Sequence, residues 1–281
     1  MAAFERFIRT VTLRRMAAVF FVLTIILVFY PLLLPLRITY QTQDFYDRIE
    51  ELQPGDKVII SAPVGPGTLK GMDRDWWIVL TQHLYSRGKV KILFHPTDPS
   101  WDAALQPMRT ILKLDEWGTY GVDYIFLPYS AGEEVAWAAF AADVHGFFAS
   151  DAYGTPLSQL PIMDDIRTMG DIDLAIVRYG IFTWGEMFFR QWSAKYGVDT
   201  LGMAAFSTLA AWYGSKEEGG KVQGNLDLDR GWAEYEYLNG YGGEHLLVLD
   251  VRNVTTTLTI VLVVAANISY FMTRGREREG G

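Results

Sequence analysis

Two uncharged apolar segments, residues 16–36 and 254–272, bracket this chain and constrain everything between them. They run 21 and 19 residues. At about 1.5 Å of rise per residue each is roughly 30 Å long as a helix, the thickness of a bilayer's hydrocarbon core. The expectation is a chain anchored twice, with one water-facing domain strung between the anchors. A cleaved signal peptide is the alternative for the first segment. Its apolar run is too long for that, and no small-residue cleavage site follows it; Pro31 and Pro35 come instead. A buried core helix is the alternative for the second, and the basic tail behind it argues against that.

Arginines orient the pair. Residues 1–15 carry Arg6, Arg9, Arg14 and Arg15 against Glu5, and residues 273–281 carry Arg274, Arg276 and Arg278. Short arginine-rich tails stay cytoplasmic, so both ends are expected inside and the main domain in the periplasm or outside the cell. Between the anchors, residues 38–251 hold 16 Lys+Arg against 30 Asp+Glu, a net charge of −14, where the whole chain stands at −8. Nucleic acid is a poor partner for such a surface. The chain has no cysteine, which excludes disulfides, thiolate metal sites and cysteine nucleophiles.

Hydrophobic patterning predicts an alternation of elements. Residues 37–52 read as a helical stalk, and the domain proper as 53–250. Short apolar runs at 57–62, 89–94, 123–127, 173–177 and 200–205 predict five strands. Helical spacing falls between them at 73–86, 101–114, 133–148 and 183–196, followed by a short helix through Tyr213, a Gly/Lys/Glu stretch at 214–224 and a last helix around 229–239. Strands separated by single helices predict a doubly wound, mostly parallel, Rossmann-like three-layer α/β domain flanked by two transmembrane helices. Nine tryptophans, Trp117 among them, exceed the expected need of one core, so some are expected at subunit contacts.

Open α/β sheets bind ligands beyond the carboxyl ends of their strands, so the loops there are the place to look. Loop one, from Ser61 to Gly71, is rich in glycine and includes Thr68, but it matches neither G-x-G-x-x-G nor G-x-x-x-x-G-K-[ST]. Its prolines remove amide donors, which favours a shaped turn over a phosphate cradle. Loop two, His95-Pro-Thr-Asp98, pairs a titratable imidazole with a carboxylate. His83, His145 and His245 show no metal spacing relative to it, and no metal or cofactor is expected. His83 itself reads as packed in a helix. In loop four, Arg178 leaves a strand and can grip a carboxylate ligand, while Thr183 and Glu186 read either as its partners or as a capping box. In the second anchor Thr255, Thr259, Val263 and Asn267 recur at every fourth position, a polar stripe suited to helix pairing with the first anchor or another subunit.

Three pieces carry a resemblance: Pro54-Gly-Asp-Lys-Val58, Tyr153-Gly-Thr-Pro156-Leu-Ser-Gln-Leu160-Pro-Ile-Met163 and Ala233-Glu-Tyr-Glu236-Tyr. The layout resembles an uncharacterised family of prokaryotic membrane-tethered Rossmann-like α/β proteins. The resemblance implies the fold and the anchoring, and brings no catalytic residues with it. Three functions are therefore weighed. First is a structural or assembly subunit that forms homo- or hetero-oligomers in the bilayer. Second is a solute-binding or sensory module holding a small molecule with Ser61 and Arg178. Third is a hydrolase using His95 and Asp98.

Overall fold

The structure is a computed structural model that describes residues 13–30, 32, 36–180, 182–204, 222–227 and 230–279. The chain divides into two compact units, Leu36–Glu244 and a second made of Met1–Pro35 with His245–Gly281.

In the first unit, helix α2 of the chain (Tyr40–Glu50) precedes β1 (Lys57–Ala62), α3 (Gly71–Ser86) and β2 (Lys91–Pro96). Helices α4 (Leu105–Ile111) and α5 (Leu114–Trp117) lead to β3 (Tyr124–Phe126), and α6 (Glu133–Ala142) and α7 (Val144–Phe147) to β4 (Leu174–Tyr179). Helices α8 (Phe182–Phe188) and α9 (Ala194–Tyr196) flank a π-helical turn, Phe189–Ser193; then come β5 (Asp199–Ala204), β6 (Val222–Asp227) and α10 (Arg230–Leu238). The strands form one sheet in the order β3-β2-β1-β4-β5-β6, every neighbouring pair parallel. The fold is Rossmann-like α/β, as the alternation predicts.

Side chains alternate across the sheet, so each strand feeds two cores. One holds Val58, Ile60, Ile92, Phe94, Leu174, Ile176 and Leu201 under α2, α3 and α10. The other holds Ile59, Leu93, Ile125, Ala175 and Val177 under α6, α7 and the π-helical turn. Residues buried on both faces explain why the strands read as continuous apolar runs.

Several expectations change. The segment expected to be a stalk is an integral helix: Phe45 and Ile49 of α2 are fully buried in the first core. The helix expected at 101–114 is broken into a 3-10 turn, α4 and α5, with Lys113 in the left-handed region at φ 54°. The helix expected at 133–148 breaks at Asp143, whose extended backbone and side chain cap α7 through Gly146 N–H at 2.9 Å. Residues 222–224, expected within a flexible stretch, begin a sixth strand. Val-Gln-Gly-Asn-Leu-Asp lacks a continuous apolar run because Gly224 and Asn225 interrupt it. The short helix expected to reach Tyr213 lies outside the described residues. Six of the tryptophans are core residues: Trp76, Trp77, Trp101, Trp137, Trp192 and Trp232 are buried. Trp117 is half-buried and stacks on Tyr85.

In the second unit, α1 (Leu13–Phe29) has 17 residues, and α11 (Glu244–Glu279) has 36. The part of α11 from Glu244 to Ile268, with mean hydropathy 1.7 in its apolar window, is long and apolar enough to cross a membrane and is mostly exposed. Positions 31 and 33–35 of the first expected span lie outside the described residues.

Candidate functional site

The chain runs outward from β1 to β3 and then returns to β4 on the other side of β1. Loops after β1 and β4 therefore diverge, which is where sheets of this order open a crevice. Loop one closes on itself there. Thr68 Oγ1 accepts from Gly65 N–H and donates to Gly65 O, both at 3.0 Å, so that amide is taken. Loop two backs directly onto it: a Cβ at Gly65 would run into Ser100 Oγ. Asp98 shapes this second loop by accepting from Ser100 N–H at 2.7 Å and from Ser100 Oγ.

Beneath these loops Ser61 and His95 are register partners on β1 and β2, with Ser61 Oγ 2.8 Å from His95 Nδ1. Both are buried, at 0% and 1% exposure. The imidazole stacks on Phe140, ring centroids 5.1 Å apart and planes 9° apart, and meets Trp192 edge-on. The π-helical turn presents that tryptophan, whose Nε1 donates to Trp137 O at 3.2 Å. Burial pushes the His95 pKa down to about 3, so the ring is neutral at ordinary pH. A serine beside a neutral histidine has the outline of a nucleophile and its base. Here no carboxylate hydrogen-bonds to His95, Asp98 is committed to Ser100, and no substrate-facing surface remains on either side chain.

Arg178 of β4 points to the α3 side of the sheet. Its Nη2 forms an ion pair with Asp73 Oδ1 in the first turn of α3, and its guanidinium lies 5.0 Å from the Trp76 ring. Asp73 thus occupies the helix start where a Rossmann sheet commonly receives an anion. Arg178 Nη1 is buried without a partner. Thr183 is exposed inside α8 rather than capping it, and Glu186 faces Arg190 at 3.7 Å, so the capping box is not formed. Ser61 with His95 and Arg178 with Asp73 make separate contacts on opposite faces of the sheet.

One constellation escaped the sequence reading. His83 is buried, its Nε2 2.8 Å from Glu50 Oε1 and its Nδ1 2.7 Å from Tyr235 Oη. Glu50 also accepts from Arg87 at 3.0 Å, and Tyr46 stacks on the imidazole at 4.5 Å. With the carboxylate as acceptor, Nε2 carries the proton and Nδ1 accepts from the Tyr235 hydroxyl. One residue of α3 therefore ties α2 to α10. Its place on the apolar face of α3, seven residues after Trp76, signals burial. The partners come from distant helices and leave no local signal.

At the opposite end of the strands lies a polar groove of about 670 Å³, lined by Arg48, Glu51, Asp56, Asp173, Asp199 and Gln223. Arg48 bridges it to Asp199 at 2.9 Å. Among the described residues no group of three or more His, Asp or Glu is placed to hold a metal ion.

In α11, Thr255 Oγ1 donates to Val251 O, Thr259 Oγ1 to Thr255 O and Asn267 Nδ2 to Val263 O, at 2.7–2.8 Å. An apolar groove of about 440 Å³ between α1 and α11 is lined by Leu23, Asn253, Val254, Thr257, Leu258 and Val261. Thr259 and Asn267 are exposed and do not line it. The stripe therefore faces away from the groove beside α1.

Fold and site together define a Rossmann-like parallel α/β domain in which Thr68, Ser61 and Arg178, near the carboxyl ends of β1 and β4, bond to groups of the protein itself. No family model, curated protein or solved structure matches the chain.

Proposed function

We propose that this chain is a two-pass membrane protein that presents an acidic Rossmann-like domain on the outer face and serves as a structural or assembly subunit. One observation carries the reading: the groups that would hold a ligand are spent on one another, Thr68 on Gly65, Ser61 on His95 and Arg178 on Asp73. The arginine-rich tails support cytoplasmic termini, and the apolar stretch at 16–36 supports a first anchor beside α11. The exposed Thr259 and Asn267 supply the contact between subunits, since polar side chains in lipid gain by bonding across helices. The resemblance to membrane-tethered α/β proteins agrees with this reading.

The test is the native mass of the protein extracted gently from its own membranes, with its companions identified. A particle of fixed stoichiometry, weakened by Asn267→Leu, is the expected result. A monomer unaffected by that change would sink the proposal. The solute-binding alternative keeps one specific support, the partnerless Nη1 of Arg178 beside the crevice. It requires a carboxylate ligand whose thermal shift disappears in Arg178→Ala while the fold persists.

A further inference from the structure

Residues 38–251 carry a net charge of −14, yet one stretch of the domain presents arginines and exposed tyrosines. The chain enters the domain unit at Leu36 and at once crosses α10. Thr39 N–H and Oγ1 donate to Glu234 Oε2 at 2.9 and 2.6 Å. Arg230, one turn earlier on α10, donates from Nε to Glu234 Oε1 at 2.7 Å and from Nη2 to Arg37 O at 3.0 Å. Glu234 is thereby fully buried, its carboxylate spent beneath the crossing chain. What stays outside is of one kind. Arg37 is exposed, half of the Arg230 side chain is exposed, and Tyr40 and Tyr237 are exposed at 60% and 51%. Tyr40 directly follows Thr39, and Tyr237 lies one turn beyond Glu234, so the two tyrosines flank the crossing together with the two arginines.

That combination has a chemistry. A guanidinium binds a phosphate through paired N–H groups. A tyrosine offers an apolar ring with a polar tip, which suits the boundary between hydrocarbon and water. Position in the chain says which phosphate is meant. Arg37 follows directly on the uncharged apolar run 16–36, so in an anchored chain it stands at the edge of the hydrocarbon core. Arg230 bonds to the carbonyl of that same residue, which brings α10 to this level although it comes 193 residues later.

We propose that Arg37, Tyr40, Arg230 and Tyr237 form a surface that lies in the headgroup layer of the bilayer, the arginines on lipid phosphates and the tyrosines between headgroups. The proposal rests on the two-anchor reading and adds to it a lipid contact made by the domain's own α10.

The chain has no cysteine, so single cysteines can be introduced and labelled with a fluorophore. The experiment uses the full-length protein in phosphatidylcholine nanodiscs that contain a lipid with a nitroxide on its headgroup. One variant is Tyr237→Cys. Its control is Val135→Cys, at an exposed position of α6, which packs on the other face of the sheet. A third, Ile260→Cys, reports the second apolar segment and is read with a nitroxide on the acyl chain. Quenching at position 237 should exceed that at 135 about twofold or more, with strong quenching at 260. Arg37→Gln, added to the first variant, should lower the excess at 237 by about half. Quenching at 260 without an excess at 237 overturns this surface and leaves the anchors standing, and an excess unchanged by Arg37→Gln overturns the phosphate contact. No quenching at 260 overturns the anchoring, and this proposal with it.

Discussion

Burial acts in the same direction on two histidines of the core. It lowers the pKa of His95 to about 3 and that of His83 below its ordinary 6.5, with Glu50 partly opposing the second shift. Below pH 6.5 the unfolded chain then binds more protons than the folded one. The stabilisation is complete above that value and is lost as pH falls toward the folded pKa values. Urea midpoints should therefore decline between about pH 6.5 and 5, before most carboxylates titrate. The double variant Ser61→Ala/His95→Phe removes both members of the pair, leaves no orphaned hydroxyl and keeps a ring against Phe140. It should flatten that decline in part, His83 carrying the remainder; an unchanged slope would refute the role of His95. The sequence placed Ser61, His95 and Arg178 at strand ends, because a strand end is a local property. Pairing is not local: Ser61 meets His95 only once β1 and β2 are neighbours, and Arg178 finds Asp73 105 residues away. The surroundings of Asp98 and Thr183 are local instead: Asp98 has its partner two residues on in Ser100, and Thr183 stands exposed on its helix.

Among the elements, α2 and β6 show how far backbone approach governs packing. A Cβ at Gly224 would lie 2.5 Å from Phe45 Cα and 2.8 Å from the Asp44 carbonyl carbon, so the helix rests directly on the strand at that glycine. Gly224→Ala must push α2 off the sheet and loosen Phe45 and Ile49. A loss of about 3 kcal/mol is expected by chemical denaturation. Gly67→Ala, where a Cβ meets nothing within 4 Å, should change stability by no more than about 0.5 kcal/mol. The same contact explains an error of reading. The apolar spacing of α2 was legible, but a stalk and a core helix share that spacing, and only the partner strand separates them. That strand was invisible because Gly224 and Asn225 interrupt it, one for the close approach of α2 and one as a buried polar group. The other five strands, β1 through β5, were all legible.

For the whole molecule, the sheet and its two cores belong to one unit, Leu36–Glu244, separate from the apolar terminal segments. Excised as 36–244, the domain is expected to stay in solution without detergent, helped by its excess of acidic residues. It should unfold in a single cooperative transition with the circular dichroism of a mixed α/β protein. Aggregation or a featureless melt would show that the terminal segments are part of its core. Fold class was legible at this scale because alternation of strand and helix permits few topologies. The strand order was not, as nothing local says on which side of β1 the chain resumes after β3.

The seating of α2 on β6 also sets the order of events during synthesis. Its residues 40–50 leave the ribosome early, while the strand they cover, Val222–Asp227, emerges some 170 residues later. Contacts that far apart in sequence are slow to form. Until then Phe45 and Ile49 have no core to enter, and that helix stays uncovered while the nascent chain lengthens. Chaperones that shield early segments would serve this protein better than spontaneous collapse from the amino terminus.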